Sequence, residues 1–323
     1  MAEAKYQDMQ GSLAFSTDMV LDAWFDVWIS DVLGDRIKYN TRKCYEGRYK
    51  HRISPCIGGM VLSDIQPIHC QHVLNYCREK GDTSGSMKKI RSIMKACMES
   101  AVENRLILVN PVSNSVRYRT GDKTERTILT VEEQKCFVET AKGYQHCDEF
   151  LFVLNTGLRC GEMMALKWAD IDWERRTIHV NGTLFYNREE GRFVENPPKT
   201  AAGNRTIPLT DVAYQILESR KGQVRPLSEF REYVFLNELG RPTLQTVYNR
   251  CLKRVTDRLG IDKFSMHCLR HTFATRCIES GMKPKTLQKI LGHTRISMTM
   301  DLYVHSTEDE MAREMRNFEL MSA

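Results

Sequence analysis

The side chains best suited to chemistry in this sequence are cationic or phenolic, and they sit in four short stretches. Arg159 lies in "NTGLRCGEMMALKW", Lys199 in "ENPPKTAAGNRTIPL", His267 and Arg270 in "FSMHCLRHTFATRCIESG", and His293 and Tyr303 in "LQKILGHTRISMTMDLYVHSTEDE". An arginine in a short turn before a helix can aim its donors, with the backbone amides, at a phosphate; it can equally pair with Glu162 or Asp170. Lys199 precedes a turn between two predicted strands, where a loop tip can reach a ligand or a lysine can simply guard a sheet edge. His267 and Arg270 are three apart and share a helix face. Tyr303 taken alone suits a half-buried ring with a wet hydroxyl.

Metal chemistry fits this set poorly. His267 and His271 are four apart, but the zinc-protease pattern HExxH needs a glutamate beside the first histidine, and Cys268 stands there. No third ligand has the right spacing, and no carboxylate pair suited to Mg²⁺ accompanies the cations. No metal or other cofactor is expected. Cationic donors could then do a metal's work on a phosphodiester, stabilising the negative charge that develops on its nonbridging oxygens during in-line attack.

The bulk properties agree with such a substrate without requiring it. A chain of 323 residues suits about two domains. The net charge of +6 is a mild excess, so its clustering matters more than its size. From Arg36 to Arg52, seven lysines and arginines face one acid, Glu46, with Tyr39, Tyr45 and Tyr49 interleaved. Arg42, Lys43, Arg48 and Lys50 in this run, and Lys88, Lys89 and Arg91 further on, are candidate DNA-binding residues; the alternative is a solvated helix face. Eleven scattered cysteines without a CxxC pair argue against a disulfide framework and for a reducing, cytoplasmic home. No apolar run spans a membrane, and the N-terminus has no signal-peptide core.

Positioning these residues falls to two sets of elements. Apolar spacings of three and four predict a helix over Ser16 to Leu33, followed by helices from Asn40 or Thr41 to just before Pro55, from Pro67 to Lys80 and from Ser86 to Arg105. Residues 1–15 read as a leader, 16–109 as a helical DNA-binding domain and 110–127 as a linker. Residues 128–323 form the second domain, opening with a capping box at Thr130 and Glu133. "TIHV" and "GTLFYN" predict a hairpin about Asn181-Gly182, "RTIPL" a further strand, and the region from Pro242 onward helices. A polar, weakly patterned bridge is expected from Thr294 to Asp301. Beyond Tyr303, Met311, Met315 and Phe318 form an apolar stripe on a tail helix capped at Ser306 or Thr307.

The ordered set "TGLRCGE", "HCLRHTFAT", "LGH" and "MDLYVH" resembles the catalytic domain of tyrosine recombinases, the phage integrase family, from about Thr130 onward. Its ending is most similar to integrases of Gram-positive conjugative transposons and temperate phages. The resemblance implies a mainly α fold with a small antiparallel β-sheet, arranged as a two-domain DNA clamp with a core-binding and a catalytic domain. It implies that Arg159, Arg270 and His293 hold the scissile phosphate, that His267 assists proton transfer or contacts the phosphate, that Lys199 protonates the 5′ leaving group, and that Tyr303 is the nucleophile. It also implies double-stranded recombination sites as partner, a homo-tetramer joined by the C-terminal tail, and excision or host DNA-bending factors. Two rivals stay open, a type IB topoisomerase-like enzyme and a DNA-binding regulator that does not cleave. In one respect the chain departs from many such integrases, which place an arm-site-binding domain before the core-binding domain; here the core-binding helices come almost at once.

Overall fold

The computed structural model describes residues 18–118, 128–198, 200–223, 228–300 and 315. The chain divides into two compact units, Met1–Thr124 and Glu125–Ala323. Among the described residues it is mostly helical, with two small antiparallel sheets in the second unit.

In the first unit, α1 (Leu21–Val27) runs on in wider, π-type turns to Val32. Its apolar spacing buries Leu21, Trp24, Phe25 and Trp28. α2 (Tyr39–Arg48) likewise continues as π-type turns over Tyr49–Gly58. The predicted stop before Pro55 is therefore not observed. Pro55 has no amide to donate in either kind of turn, yet the chain continues past it in π-type turns to Gly58. Two of the interleaved tyrosines belong to the core: Tyr49 stacks on Phe25 at 3.6 Å between centroids and donates to Asp22 Oδ1 (2.7 Å), and Tyr45 stacks on Trp28. α3 (Pro67–Glu79) begins on its proline, and α4 (Ser84–Glu103) is capped by Thr83 Oγ1, which accepts from Ser86 N at 3.2 Å. Trp24 Nε1 donates to the Cys97 carbonyl (3.0 Å), tying α1 to α4. Truncating such a buried tryptophan would cost about 3–5 kcal/mol.

The first part of the stretch read as a linker is packed. Val112 and Val116 lie buried in this unit's core, and Arg91 holds the segment by donating to the carbonyls of Val116 (2.8 Å) and Ser113 (2.9 Å). Two apolar side chains four residues apart, held by one arginine, are enough to seat a stretch without secondary structure.

The second unit opens with α5 (Val131–Ala141), whose capping box forms as expected: Thr130 Oγ1 accepts from Glu133 N, and the Glu133 carboxylate accepts from Thr130 N. α6 (Cys147–Thr156) packs against α8 (Asp211–Lys221) and α10 (Met266–Glu279), with α9 (Gln245–Arg258) against α5 and α10. One sheet has the order β1-β2-β5, from Ile171–Asp172, Thr177–Val180 and Arg205–Pro208; the other pairs β3 (Thr183–Asn187) with β4 (Arg192–Asn196).

The expected hairpin about Asn181-Gly182 is thus replaced. β2 pairs with β1 and β5, with Ile178 opposite Ile207, and the chain changes sheet at Asn181. The Asn181 amide donates to Asp170 Oδ1 (2.7 Å), which uses the side chain that would have favoured a tight turn. The hairpin turn lies instead after β3, where Asn187 Oδ1 accepts from the amides of Glu189 and Glu190. The connection that includes Lys199 therefore runs from β4 in one sheet to β5 in the other, and is not a hairpin loop; Lys199 itself lies outside the described residues.

All eleven cysteines are free thiols. Among the described residues no helix is long and apolar enough to cross a membrane, and no group of three metal-ligating side chains occurs.

Candidate active site

Three segments meet around one buried carboxylate. α7 (Cys160–Ala165) starts at Arg159, which follows Gly157 and the fully buried Leu158. Glu162, on the first turn of α7, is buried and faces three guanidiniums. Arg159 Nη1 donates to its Oε1 (2.6 Å), Arg205 Nη1 and Nη2 grip Oε1 and Oε2 (3.2 and 2.9 Å), and Arg270 Nη1 lies 3.8 Å from Oε2. Burial alone would raise the Glu162 carboxyl; hydrogen bonds from Arg205 and the charges of Arg205, Arg159 and Arg270 outweigh it and hold it at about 2. The carboxylate is ionised, and the cluster keeps two net positive charges.

The salt bridge of Arg159 with Glu162 is therefore present, and the backbone amide of Arg159 also donates to Glu162, at 2.9 Å. That amide is not turned toward a ligand as the sequence suggested. The Arg159 side chain nevertheless stays 39% exposed, whereas those of Arg205 and Arg270 are 6% and 3% exposed. Asp170, the other proposed partner of Arg159, bonds instead to the Lys167 amide and to Asn181.

Arg270 is the fifth residue of α10 and is locked by two carbonyls, Gly157 O and Leu291 O, each 2.7 Å from a guanidinium nitrogen. Burial, reinforced by Arg159 and opposed by Glu162, pulls its guanidinium down to about 9, so it stays charged at neutral pH. Both carbonyls lie beside left-handed turns that favour glycine. Gly157 (φ +66°) ends α6, and a Cβ there would run into the Phe273 ring; Gly292 (φ +63°) ends α11 (Pro284–Leu291), where a Cβ would come within 2.8 Å of the Ala202 carbonyl.

His293 follows Gly292 directly. Its Nδ1 is 2.9 Å from Thr299 Oγ1, and its backbone is held on both sides by Gln288. Thr299 is buried and sits on α12 (Ser297–Met300), so the expected irregular bridge contains a helical turn. His267 is exposed on the first turn of α10, its ring edge-on to His271 at 4.4 Å between centroids.

Arg159 and Arg270 are thus gathered at Glu162, His293 adjoins them through Leu291, and His267 shares a helix with Arg270. Tyr303 and Lys199 lie outside the described residues. Sequence reasoning missed Arg205 and treated Glu162 only as a possible partner. A signal existed for Arg205: in "RTIPL" the alternation that buries Ile207 turns Arg205 to the same side.

Of the candidate DNA-binding residues, Lys50, Lys88 and Lys89 are exposed. Lys43 pairs with Glu46 (2.7 Å), and Arg42 donates to the Gly34 carbonyl (2.9 Å). Arg48 is half-buried and bonds to Cys44 Sγ. Arg91 is committed to the two carbonyls of the packed segment.

The model of the phage integrase family matches residues 119–310, more than half the chain, and that of the phage integrase N-terminal SAM-like domain matches residues 20–77. The chain belongs to the phage integrase family. It is a tyrosine recombinase, as its motifs implied. The transposase from transposon Tn916 of Enterococcus faecalis is 30% identical over 276 residues, 80% of this chain and 68% of that protein. A XerC-like tyrosine recombinase of Caldanaerobacter subterraneus is 29% identical over 311 residues, 89% of this chain and 80% of the relative. Among solved structures, the Tn1549 transposon integrase in complex with a circular-intermediate DNA superposes with a TM-score of 0.79 at 25% identity, over 93% of this chain and 99% of that one. A lambda integrase tetramer bound to a Holliday junction shares the fold, with a TM-score of 0.67 at 20% identity over 91% of this chain and 80% of that one.

Proposed function

We propose that this recombinase cleaves and rejoins double-stranded DNA at recombination sites of a mobile element, through a 3′-phosphotyrosine on Tyr303. The observation that carries the reading is the pair Arg159 and Arg270, fixed on one carboxylate with net positive charge left over. Such a pair is preorganised to hold a scissile phosphate and to stabilise the charge that builds on its nonbridging oxygens. His293, its ring oriented by Thr299, adds a third contact. The Tyr303 oxygen attacks phosphorus, its proton passing toward His267, while the bond to the 5′ oxygen breaks and Lys199 protonates that oxygen. The phosphotyrosine conserves the bond energy until a 5′-hydroxyl reverses the step. No metal or nucleotide takes part.

Residues 16–109 act in this reading as the core-binding domain and residues 128–323 as the catalytic domain, both engaging the same duplex. Arg42, Lys43, Arg48, Lys50, Lys88 and Lys89 supply phosphate contacts. The tail beyond Tyr303 joins protomers into a tetramer, excision or host DNA-bending factors assist, and the reaction takes place in the cytoplasm. The test is incubation with element-end duplexes nicked near the exchange point. Wild-type protein should form a covalent adduct, and Tyr303→Phe should bind the duplex equally well without forming one. A normal adduct yield from Tyr303→Phe would overturn the assignment.

A further inference from the structure

Arg205 is engaged by four hydrogen bonds at once. Its Nη1 and Nη2 hold Glu162, Nη1 also donates to the Gly203 carbonyl (3.1 Å), and Nε donates to the Ile290 carbonyl (2.6 Å). A guanidinium has five N–H donors, so at most one is left for anything else, on a side chain only 6% exposed. Arg205 is not built to touch substrate. It joins three segments: the end of the connection entering β5, the first turn of α7, and the last turn of α11 just before Gly292 and His293.

Its charge matters as much as its reach. Without Arg205, Glu162 would face only Arg159 and Arg270, and its negative charge would oppose theirs directly. The carboxylate would compete with a DNA phosphate for the same two guanidiniums. With Arg205 in place, Glu162 is neutralised by a two-pronged partner that shares Oε1 with Arg159 and also holds Oε2, and it can aim Arg159 without cancelling it.

We propose that Arg205 is a positioning residue for DNA cleavage. As the dedicated counter-ion of Glu162, it leaves the charge of Arg159 and Arg270 available to the scissile phosphate, and it ties their placement to the turn that carries His293. The proposal rests on the reading of Arg159 and Arg270 as phosphate ligands.

The experiment compares covalent adduct formation by wild type, Arg205→Met, Arg205→Lys and the double variant Arg205→Met with Glu162→Gln. Two nicked substrates are used, one ordinary and one with an uncharged methylphosphonate at the scissile position. Duplex affinity and thermal melting are measured alongside. Arg205→Met should form adduct at least about tenfold more slowly on the ordinary substrate, with duplex affinity within about threefold of wild type. On the methylphosphonate its deficit should shrink to about threefold or less, because a neutral centre needs less cationic charge. Arg205→Lys, which keeps the charge, should fall between wild type and Arg205→Met. The double variant restores two net positive charges and should cleave the ordinary substrate faster than Arg205→Met alone.

If Arg205→Met unfolds at the assay temperature, the double variant decides: adduct formation within about tenfold of wild type supports the proposal, and a larger loss overturns it. Equal impairment of Arg205→Met on both substrates, or no impairment on either, also overturns it. Arg159→Ala is the control for the underlying reading. If the neutral substrate relieves Arg159→Ala but not Arg205→Met, the role of Arg205 fails and the phosphate ligands stand; if it relieves neither, the reading of the ligands fails.

Discussion

Replacing Glu162 by glutamine should reveal how strongly one carboxylate holds the second unit together. The side chain keeps its shape and an acceptor oxygen, so the change removes charge and little volume, leaving Arg159, Arg205 and Arg270 facing one another. Held at about 2 rather than its ordinary 4.5, the carboxyl contributes on the order of 3 kcal/mol at neutral pH, at about 1.4 kcal/mol per pKa step. Breaking a buried ion pair by removing one partner independently suggests about 3–5 kcal/mol. For a unit of this size, 3 kcal/mol corresponds to a fall in Tm of roughly 6–12 °C. Calorimetry would measure it, with amide exchange in α6 and α10 assigning the transition to the second unit. Because the folded-state pKa is depressed, the stabilisation is complete above about pH 4.5 and is lost as pH falls toward 2. The gap between wild type and Glu162→Gln should therefore close over that window. A Tm change under 2 °C at pH 7, or a gap that stays constant from pH 6 to 3, would refute the account.

Four further outcomes are expected. Lys88→Ala and Lys89→Ala should each lower the slope of log affinity against log salt by about one, whereas Arg91→Ala should leave that slope unchanged and loosen residues 110–118 in amide exchange. Gly157→Ala places a Cβ in the left-handed region and against Phe273, which should destabilise the second unit by about 2–4 kcal/mol on melting and slow adduct formation by displacing the carbonyl that holds Arg270. Adduct formation should survive excess EDTA; activity lost to EDTA and restored by magnesium or zinc, with the fold intact, would contradict the cationic mechanism. Deleting Met311 to Ala323 should weaken higher-order protein-DNA complexes in gel-shift assays while single-protomer binding stays near wild type.

The sequence was most informative where one local rule acted alone. The capping box at Thr130 and the start of α3 at Pro67 follow directly from side-chain chemistry, and both formed within a residue of expectation. It was least informative where a distant partner decided the outcome. Asn181 reads as a turn former until Asp170 takes its amide, and Pro55 reads as a stop, yet the chain continues past it in π-type turns. Arg91 reads as part of a basic face, yet it is turned toward carbonyls more than twenty residues away. In the candidate site, the residue types of Arg159, His267, Arg270 and His293 were legible from their motifs. The hub was not, because a buried glutamate that binds three arginines has no local signature; its meaning lies in Arg205 and Arg270, which only the fold delivers to it.

That hub also bears on when the chain becomes able to cut. Its three arginines come from positions 159, 205 and 270, and the last of them is fixed by the carbonyl of Leu291. A ribosome must release nearly all of the second unit before the carboxylate has its full complement. The hub, and with it the placement of Arg159 and Arg270, therefore forms only after the stretch from 159 to 291 has been made.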